Sequence, residues 1–233
     1  MRPVRLSILV KLANAAVAVH LLRLFTYFRS SAAYRLRIAL NLKGIGAESV
    51  YIDLRRSEQH SPAYLQVNPA GLVPALEHDG HSLLQSLSII EYLEEIQPLP
   101  PLLPAAALDR AFVRSVALSI ACDIHPLNNL RVLNYLKNDL AVDTPGRNRW
   151  YAHWIETGFS GLETLLSSDA RVGRFCFGDM PTLADVCLVP QMANAERMNC
   201  NLAACPTLRR LAANARELAA FRAADPELQP DAE

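Results

Sequence analysis

Ser30 and Ser31 stand between an apolar, aromatic run, Leu22 to Phe28, and an amphipathic stretch from Arg35 to Leu42 that stops at Gly44. A hydroxyl at a strand-to-helix junction caps the helix, and the open backbone N–H groups beside it favour an anion such as a thiolate or a carboxylate. Spacing alone supports plain capping at least as well as anion binding. Arg29, directly before the serines, opposes the positive end of the helix dipole, so it is either solvated or kept there to hold an anion. Gln85-Ser86 repeats the theme, with a hydroxyl placed to cap a helix that runs from about Ser86 to Ile96. Asn68-Pro69 and Val73-Pro74 are turn residues, and turn chemistry accounts for both. Thr182-Leu183-Ala184-Asp185 has the form of a capping box with aspartate in place of glutamate, and it reads as a folding element. The five cysteines include no Cys-x-x-Cys pair and the six histidines no His-x-x-x-His, so neither a metal site nor a disulfide is expected.

The elements that must position these residues fall into two halves. Leu22–Phe28 and Glu48–Leu54 read as strands. Val73–Glu77 and Ser82–Gln85 flank Asp79-Gly80, a strong hairpin signal. Pro74 inside the third strand predicts a sheet edge or a strand start, and a cis peptide. The order strand, helix, strand, hairpin, helix describes a small open sheet with helices on its faces over residues 21–97. Four prolines in the eight residues from Gln97 to Pro104 make a stiff linker, placed at 98–104. From 105 to 233 only helical spacing is present, over about 106–121, 124–140, 147–168, 181–198 and 206–224. Residues 1–20, with Arg2, Arg5, Lys11 and no acid, resemble a secretory leader, but the apolar stretch Leu6–Val10 is too short for one. They are treated as a leader or extension outside the fold.

Composition excludes several classes. The 233 residues carry 23 basic and 23 acidic side chains, which removes the basic excess of a nucleic-acid binder. An apolar fraction of 51% with 20% charged residues is that of a folded globular chain. No apolar run reaches the roughly 18 residues needed to span a bilayer. A cytoplasmic protein with reduced thiols is expected.

In combination and order, the weak single signals resemble the zeta class of glutathione transferases. The class signature, Ser-Ser-Cys-x-Trp/His-Arg-x-Arg-Ile-Ala-Leu, is matched by Ser30-Ser31-Ala32-Ala33-Tyr34-Arg35-Leu36-Arg37-Ile38-Ala39-Leu40. Asn68 to Leu76, Gln85 to Glu95 and Thr182 to Asp185 agree as well, and the resemblance covers residues 21–228. It implies the glutathione transferase fold, an α/β thioredoxin-like N-terminal domain followed by an all-α C-terminal domain, with glutathione as cofactor. By the same resemblance Val73 pairs its backbone with the cysteine of the tripeptide. Gln85 and Ser86 hold its γ-glutamyl carboxylate, and Ser30 hydrogen-bonds the thiolate. The family's cysteine is Ala32 here, which argues only against chemistry by a protein thiol.

The second half narrows the substrate. His125-Pro126-Leu127-Asn128-Asn129-Leu130-Arg131 resembles the segment bordering the site in this class. Maleylacetoacetate isomerases have Gln-Pro-Leu-Gln-Asn-Leu-Ser there, whereas bacterial maleylpyruvate isomerases have His-Pro-x-Asn-Asn followed by an arginine, the pattern of this chain. His125, Asn128 and Asn129 are accordingly expected at the cofactor. Arg197 matches an arginine both groups use. The resemblance thus implies a cis–trans isomerase of a short dicarboxylate, held by Arg29, Arg131 and Arg197, whose guanidinium forks bind carboxylates bidentately. Ser30 and Arg29 are the expected catalytic pair. A homodimer is implied too, with maleylacetoacetate isomerase, a general transferase or a non-catalytic glutathione-fold module as alternatives.

Overall fold

The computed structural model describes residues 22–232, so the expected leader at 1–20 lies outside the described residues. β1 (Arg23–Thr26), α1 (Ser31–Lys43), β2 (Glu48–Tyr51), α2 (Pro62–Val67), β3 (Ala75–His78), β4 (His81–Leu84) and α3 (Ser86–Ile96) form the α/β half. The sheet order is β2-β1-β3-β4, with β1 and β2 parallel across α1 and β3 antiparallel to both neighbours. The remaining elements are helical: α4 (Ala107–Leu118), α5 (Leu130–Asn138), α6 (Thr144–Ser168), α7 (Leu183–Arg197), α8 (Pro206–Arg216) and α9 (Ala219–Ala223).

Alternation along the strands divides the apolar side chains between two faces. Leu24 and Leu76 point into the main core with Leu36, Ile38, Ile89, Ile90 and Leu93, where they meet α4, α6 and α7. Phe25 and Ala75 point the other way, into a smaller cluster with Tyr27, Phe28, Ile52, Tyr64 and Val73. Asp79 (φ 51°) and Gly80 (φ 76°) make the expected tight turn between β3 and β4. The proline-rich segment is strapped down. Buried Lys43 donates to the carbonyls of Gln97 and Pro100 and pairs with Glu94 at 2.6 Å, and Glu94 accepts the N–H groups of Leu102 and Leu103.

Several expectations are corrected. α1 begins at Ser31 rather than Arg35, because Ser30 caps it. Pro74 precedes β3, an inner strand, so it marks a strand start and not an edge. α2 was not expected from the pattern; six residues give too little periodicity, though Ser61 caps it and Pro62 opens it as short helices require. The expected helix 124–140 is broken: a π-helical turn spans Ser119–Ile124, a 3₁₀ turn follows over His125–Asn128, and α5 starts afresh at Leu130. Pro126 lacks the N–H a continuous helix needs, and Asn129 supplies a new cap. The expected helix 206–224 is likewise two, α8 and α9.

Candidate active site

Phe25 pairs with Ala75, and Ala75 with Leu84. The segments that continue from these three residues therefore leave the sheet at one end: Tyr27–Ser30 after β1, Val73-Pro74 before β3, and Gln85-Ser86 after β4. Two helix N-termini, those of α1 and α3, open there, and neither has an acidic residue in its first turn.

Ser30 is partly exposed and its Oγ accepts the Ala33 N–H at 3.2 Å. That bond occupies an acceptor lone pair and leaves the hydroxyl proton free to donate, so capping and anion binding are compatible. Ser31 is buried as the first helical residue, and Ala32 follows it. At the second terminus the expected cap is absent. Gln85, exposed at φ 68°, occupies the cap position without a side-chain bond, and buried Ser86 is the first helical residue, its Oγ 3.5 Å from Arg35 Nη1. Val73 is buried and joined to Pro74 by a cis peptide.

The loops bearing these residues are fastened by side chains to which the sequence analysis gave no such role. Leu72, before Val73, has its carbonyl held by Tyr64 Oη at 2.6 Å and Asn68 Nδ2 at 2.7 Å, which explains what α2 contributes. Burial pushes the Tyr64 hydroxyl up to about 12, so it remains a donor at any relevant pH. Buried Arg37 donates to the carbonyls of Phe28 (3.0 Å) and Ala224 (3.1 Å) and to Thr26 Oγ1 (3.2 Å). Asp231 Oδ2 accepts the Phe28 N–H at 2.8 Å, so the C-terminal tail clamps the loop that carries Arg29 and Ser30.

On the helical side, Trp150 Nε1 donates to the Leu127 carbonyl at 2.8 Å and holds the 3₁₀ turn against α6. Gly158 lies against the preceding π-helical turn, where a Cβ would overlap the Ile124 side chain unless that side chain moved. Asn129 Oδ1 is occupied by the Arg131 N–H at 3.1 Å, whereas the buried Asn128 amide has no partner for either polar atom among the described residues. His125 is held down to about 3, first by burial and then by the positive charges of Arg35 and Arg131. It is a neutral imidazole at pH 7.

This has a consequence for stability. The unfolded imidazole protonates near 6.5, well above the folded value, so the unfolded state takes up the proton first on acidification. The stabilisation from a neutral His125 is complete above about pH 6.5 and is lost progressively from there towards pH 3. Wild type is expected to lose about 1–2 kcal/mol between pH 7 and pH 5 that His125→Gln does not lose, as read by urea unfolding at both pH values. Equal losses in the two proteins would rule His125 out as the source.

The three arginines are all exposed. Arg29 lies over the Phe28 ring at 4.9 Å, and Arg131 sits in the first turn of α5 with its charge on His125. Arg197 ends α7, bonded to Asn194 Oδ1 at 3.3 Å and acting on the buried Tyr151 hydroxyl. Glu196 beside it bears on Tyr34, which brings the end of α7 alongside the first turns of α1. The described residues show none of the three in an ion pair with a carboxylate. The structure thus groups Ser30, Val73, Gln85 and Ser86 at the sheet end. It links His125 and Arg131 to that end through Arg35, and spends the Asn129 side chain on capping.

Residues 24–101 match the model of the glutathione S-transferase N-terminal domain. The chain is 50% identical over 211 residues to a probable maleylacetoacetate isomerase of Vibrio cholerae, covering 90% of this chain and 97% of that one. It is 46% identical to a maleylpyruvate isomerase of Ralstonia sp., over 90% and 99% of the two chains. A solved holo structure of maleylpyruvate isomerase, described as a bacterial zeta-class glutathione S-transferase, superimposes with a TM-score of 0.89 at 45% identity, covering 91% of this chain and all of that one. A maleylacetoacetate isomerase from Methylobacterium extorquens, solved with malonate and glutathione bound, gives a TM-score of 0.88 at 42% identity over 91% and 99% of the chains.

Proposed function

We infer function from kinship and geometry together: this chain belongs to the zeta class of the glutathione S-transferase family, among the maleylacetoacetate and maleylpyruvate isomerases. It is a glutathione-dependent cis–trans isomerase, and the reading that fits best is conversion of maleylpyruvate to fumarylpyruvate. The observation that carries the choice of substrate is Arg131, exposed in the segment after His125 and, like Arg29 and Arg197, in no ion pair with a carboxylate among the described residues.

The residues at the sheet end suit glutathione. Two acid-free helix N-termini, the uncommitted Ser30 proton and the buried Arg35 guanidinium, which has no carboxylate partner among the described residues, all favour an anionic ligand. Bound there, the tripeptide supplies a thiolate that adds to the cis double bond and departs after rotation. Ser30 donates to the sulfur, and the α1 N-terminus helps to keep it ionised. The Val73 backbone pairs with the cysteine, while Gln85 and Ser86 hold the γ-glutamyl carboxylate. His125 and Asn128 border the cofactor with neutral polar groups. Arg29, Arg131 and Arg197 fix the substrate carboxylates and stabilise the negative charge that develops on its dioxo unit. Ala32 leaves no thiol beside Ser31, consistent with a nucleophile brought by the cofactor.

Replacing Arg131 with serine, the residue expected in maleylacetoacetate isomerases, tests the substrate. The ratio of kcat/KM for maleylpyruvate over maleylacetoacetate is expected to fall about tenfold or more, the worth of one charged hydrogen bond. An unchanged ratio would make Arg131 a bystander and favour the longer substrate. A homodimer belongs to the same proposal, supported by an open cleft between α3 and α4 where Leu83, Leu87 and Leu118 lie beside the charged Glu91, Glu95 and Arg114. So do a cytoplasmic location and the division into 21–97, a linker at 98–104, and 105–233. No helix among the described residues is long and apolar enough to cross a membrane.

A further inference from the structure

Among the described residues three cations are almost completely buried, and two of them are fully partnered. Lys43 has Glu94 and two carbonyls, and Arg37 has carbonyl and hydroxyl acceptors on the Thr26–Phe28 segment and at Ala224. Arg35, in the second turn of α1, is 1% exposed and has none of this. Its Nη1 lies 3.5 Å from Ser86 Oγ, at the outer limit of hydrogen bonding, and its Nε and Nη2 have no partner among the described residues. The groups with opposite charge that bear on it are two thiols, Cys187 and Cys122, and burial raises Cys187 to about 11, leaving it uncharged at pH 7. Among the described residues no carboxylate is paired with it.

The element that Arg35 faces deepens the imbalance. Ser86 opens α3, whose first turn has no acid and whose cap residue, Gln85, makes no side-chain bond. A buried guanidinium and a bare helix N-terminus thus meet at one hydroxyl. Both are positive, and one negative group at that terminus would satisfy both.

We propose that the counter-ion of Arg35 is the α-carboxylate of the γ-glutamyl group of bound glutathione, with Arg35 a positioning residue that acts through Ser86. The inference rests on the reading of Gln85-Ser86 given above. Without ligand the charge is a cost to the fold, because a buried cation lacking its partner destabilises more than an apolar side chain of similar volume. With ligand the same charge favours binding.

The test uses Arg35→Met and Arg35→Lys. It combines thermal unfolding of the ligand-free proteins with calorimetric titration of glutathione and of 4-aminobutyryl-cysteinylglycine, which lacks only that carboxylate. Arg35→Met is expected to melt no lower than wild type and yet to bind glutathione about tenfold or more weakly, with its affinity for the analogue unchanged within about twofold. Arg35→Lys, which keeps the charge, is expected to retain most of the difference between the two ligands. If methionine does not fold, Arg35→Gln supplies the same comparison. A lower melting temperature with equal weakening for both ligands, or wild-type discrimination in the neutral variant, would overturn the role of Arg35 while leaving the glutathione site standing. Wild type that fails to bind glutathione, or that binds both ligands equally, would overturn the reading of Gln85-Ser86 itself.

Discussion

Replacing Ser30 with alanine is expected to lower kcat/KM for glutathione-dependent isomerisation by about a hundredfold and to move the alkaline rise of its pH profile upward. The Ser30 hydroxyl has two tasks that do not compete. Its oxygen accepts the Ala33 N–H and so fastens the first turn of α1, and its proton remains available to a thiolate above that turn. Alanine removes both. The lost cap costs about 1 kcal/mol of stability, a small effect in a chain of this size. The lost donor removes a charge-assisted hydrogen bond from the nucleophile, raising the thiol pKa and thinning the thiolate population at neutral pH. Ser30→Thr keeps cap and donor together and is expected to retain most of the activity. Should alanine reduce stability as above but leave rate and pH profile unchanged, Ser30 would be a cap and nothing more.

Asp185→Ala is expected to be the most damaging substitution for folding, at about 3–5 kcal/mol, or roughly 10 °C in Tm for a chain of this length. The Asp185 carboxylate is fully buried and accepts three hydrogen bonds, from Thr182 N–H at 2.8 Å, Thr182 Oγ at 3.0 Å and Cys176 N–H at 2.8 Å. It closes a reciprocal capping box at the start of α7, the helix whose Leu183–Met192 stretch is buried throughout. α7 packs against α1, α4 and α8, so the box supports both halves of the molecule. Without the carboxylate, two buried backbone donors and a hydroxyl lose their partner, and nothing replaces them. Urea unfolding followed by circular dichroism measures the loss; a change under 1 kcal/mol would show that the box is dispensable.

The two kinds of residue were not equally legible in the sequence. Short motifs with a local mechanism carried over well. The Asp79-Gly80 turn, the cis peptide before Pro74, the capping box at Thr182–Asp185 and the hydroxyl at Ser30 each depend on a few adjacent residues. Other features depended on how side chains pack rather than on local spacing. Arg37 and Asp231 clamp the loop before Ser30 from nine and 203 residues away from Phe28. Nothing in the amphipathic spacing of α1 says that Arg35 and Arg37 turn inward, because arginine normally marks the solvated face of a helix. The break at His125 had a visible signal in Pro126 and the cap-forming Asn129, but it was hidden by apolar residues that keep helical spacing on both sides. Ser86 was misread as a cap for a related reason: the conformation of Gln85, with φ 68°, follows from the end of β4 and moves the cap one residue back.

The most direct test is isomerisation of maleylpyruvate by the purified full-length chain, followed by ultraviolet absorbance, with and without glutathione and beside maleylacetoacetate. Turnover that requires glutathione and favours maleylpyruvate is the expected result. Turnover independent of glutathione, or none with either substrate, would contradict it.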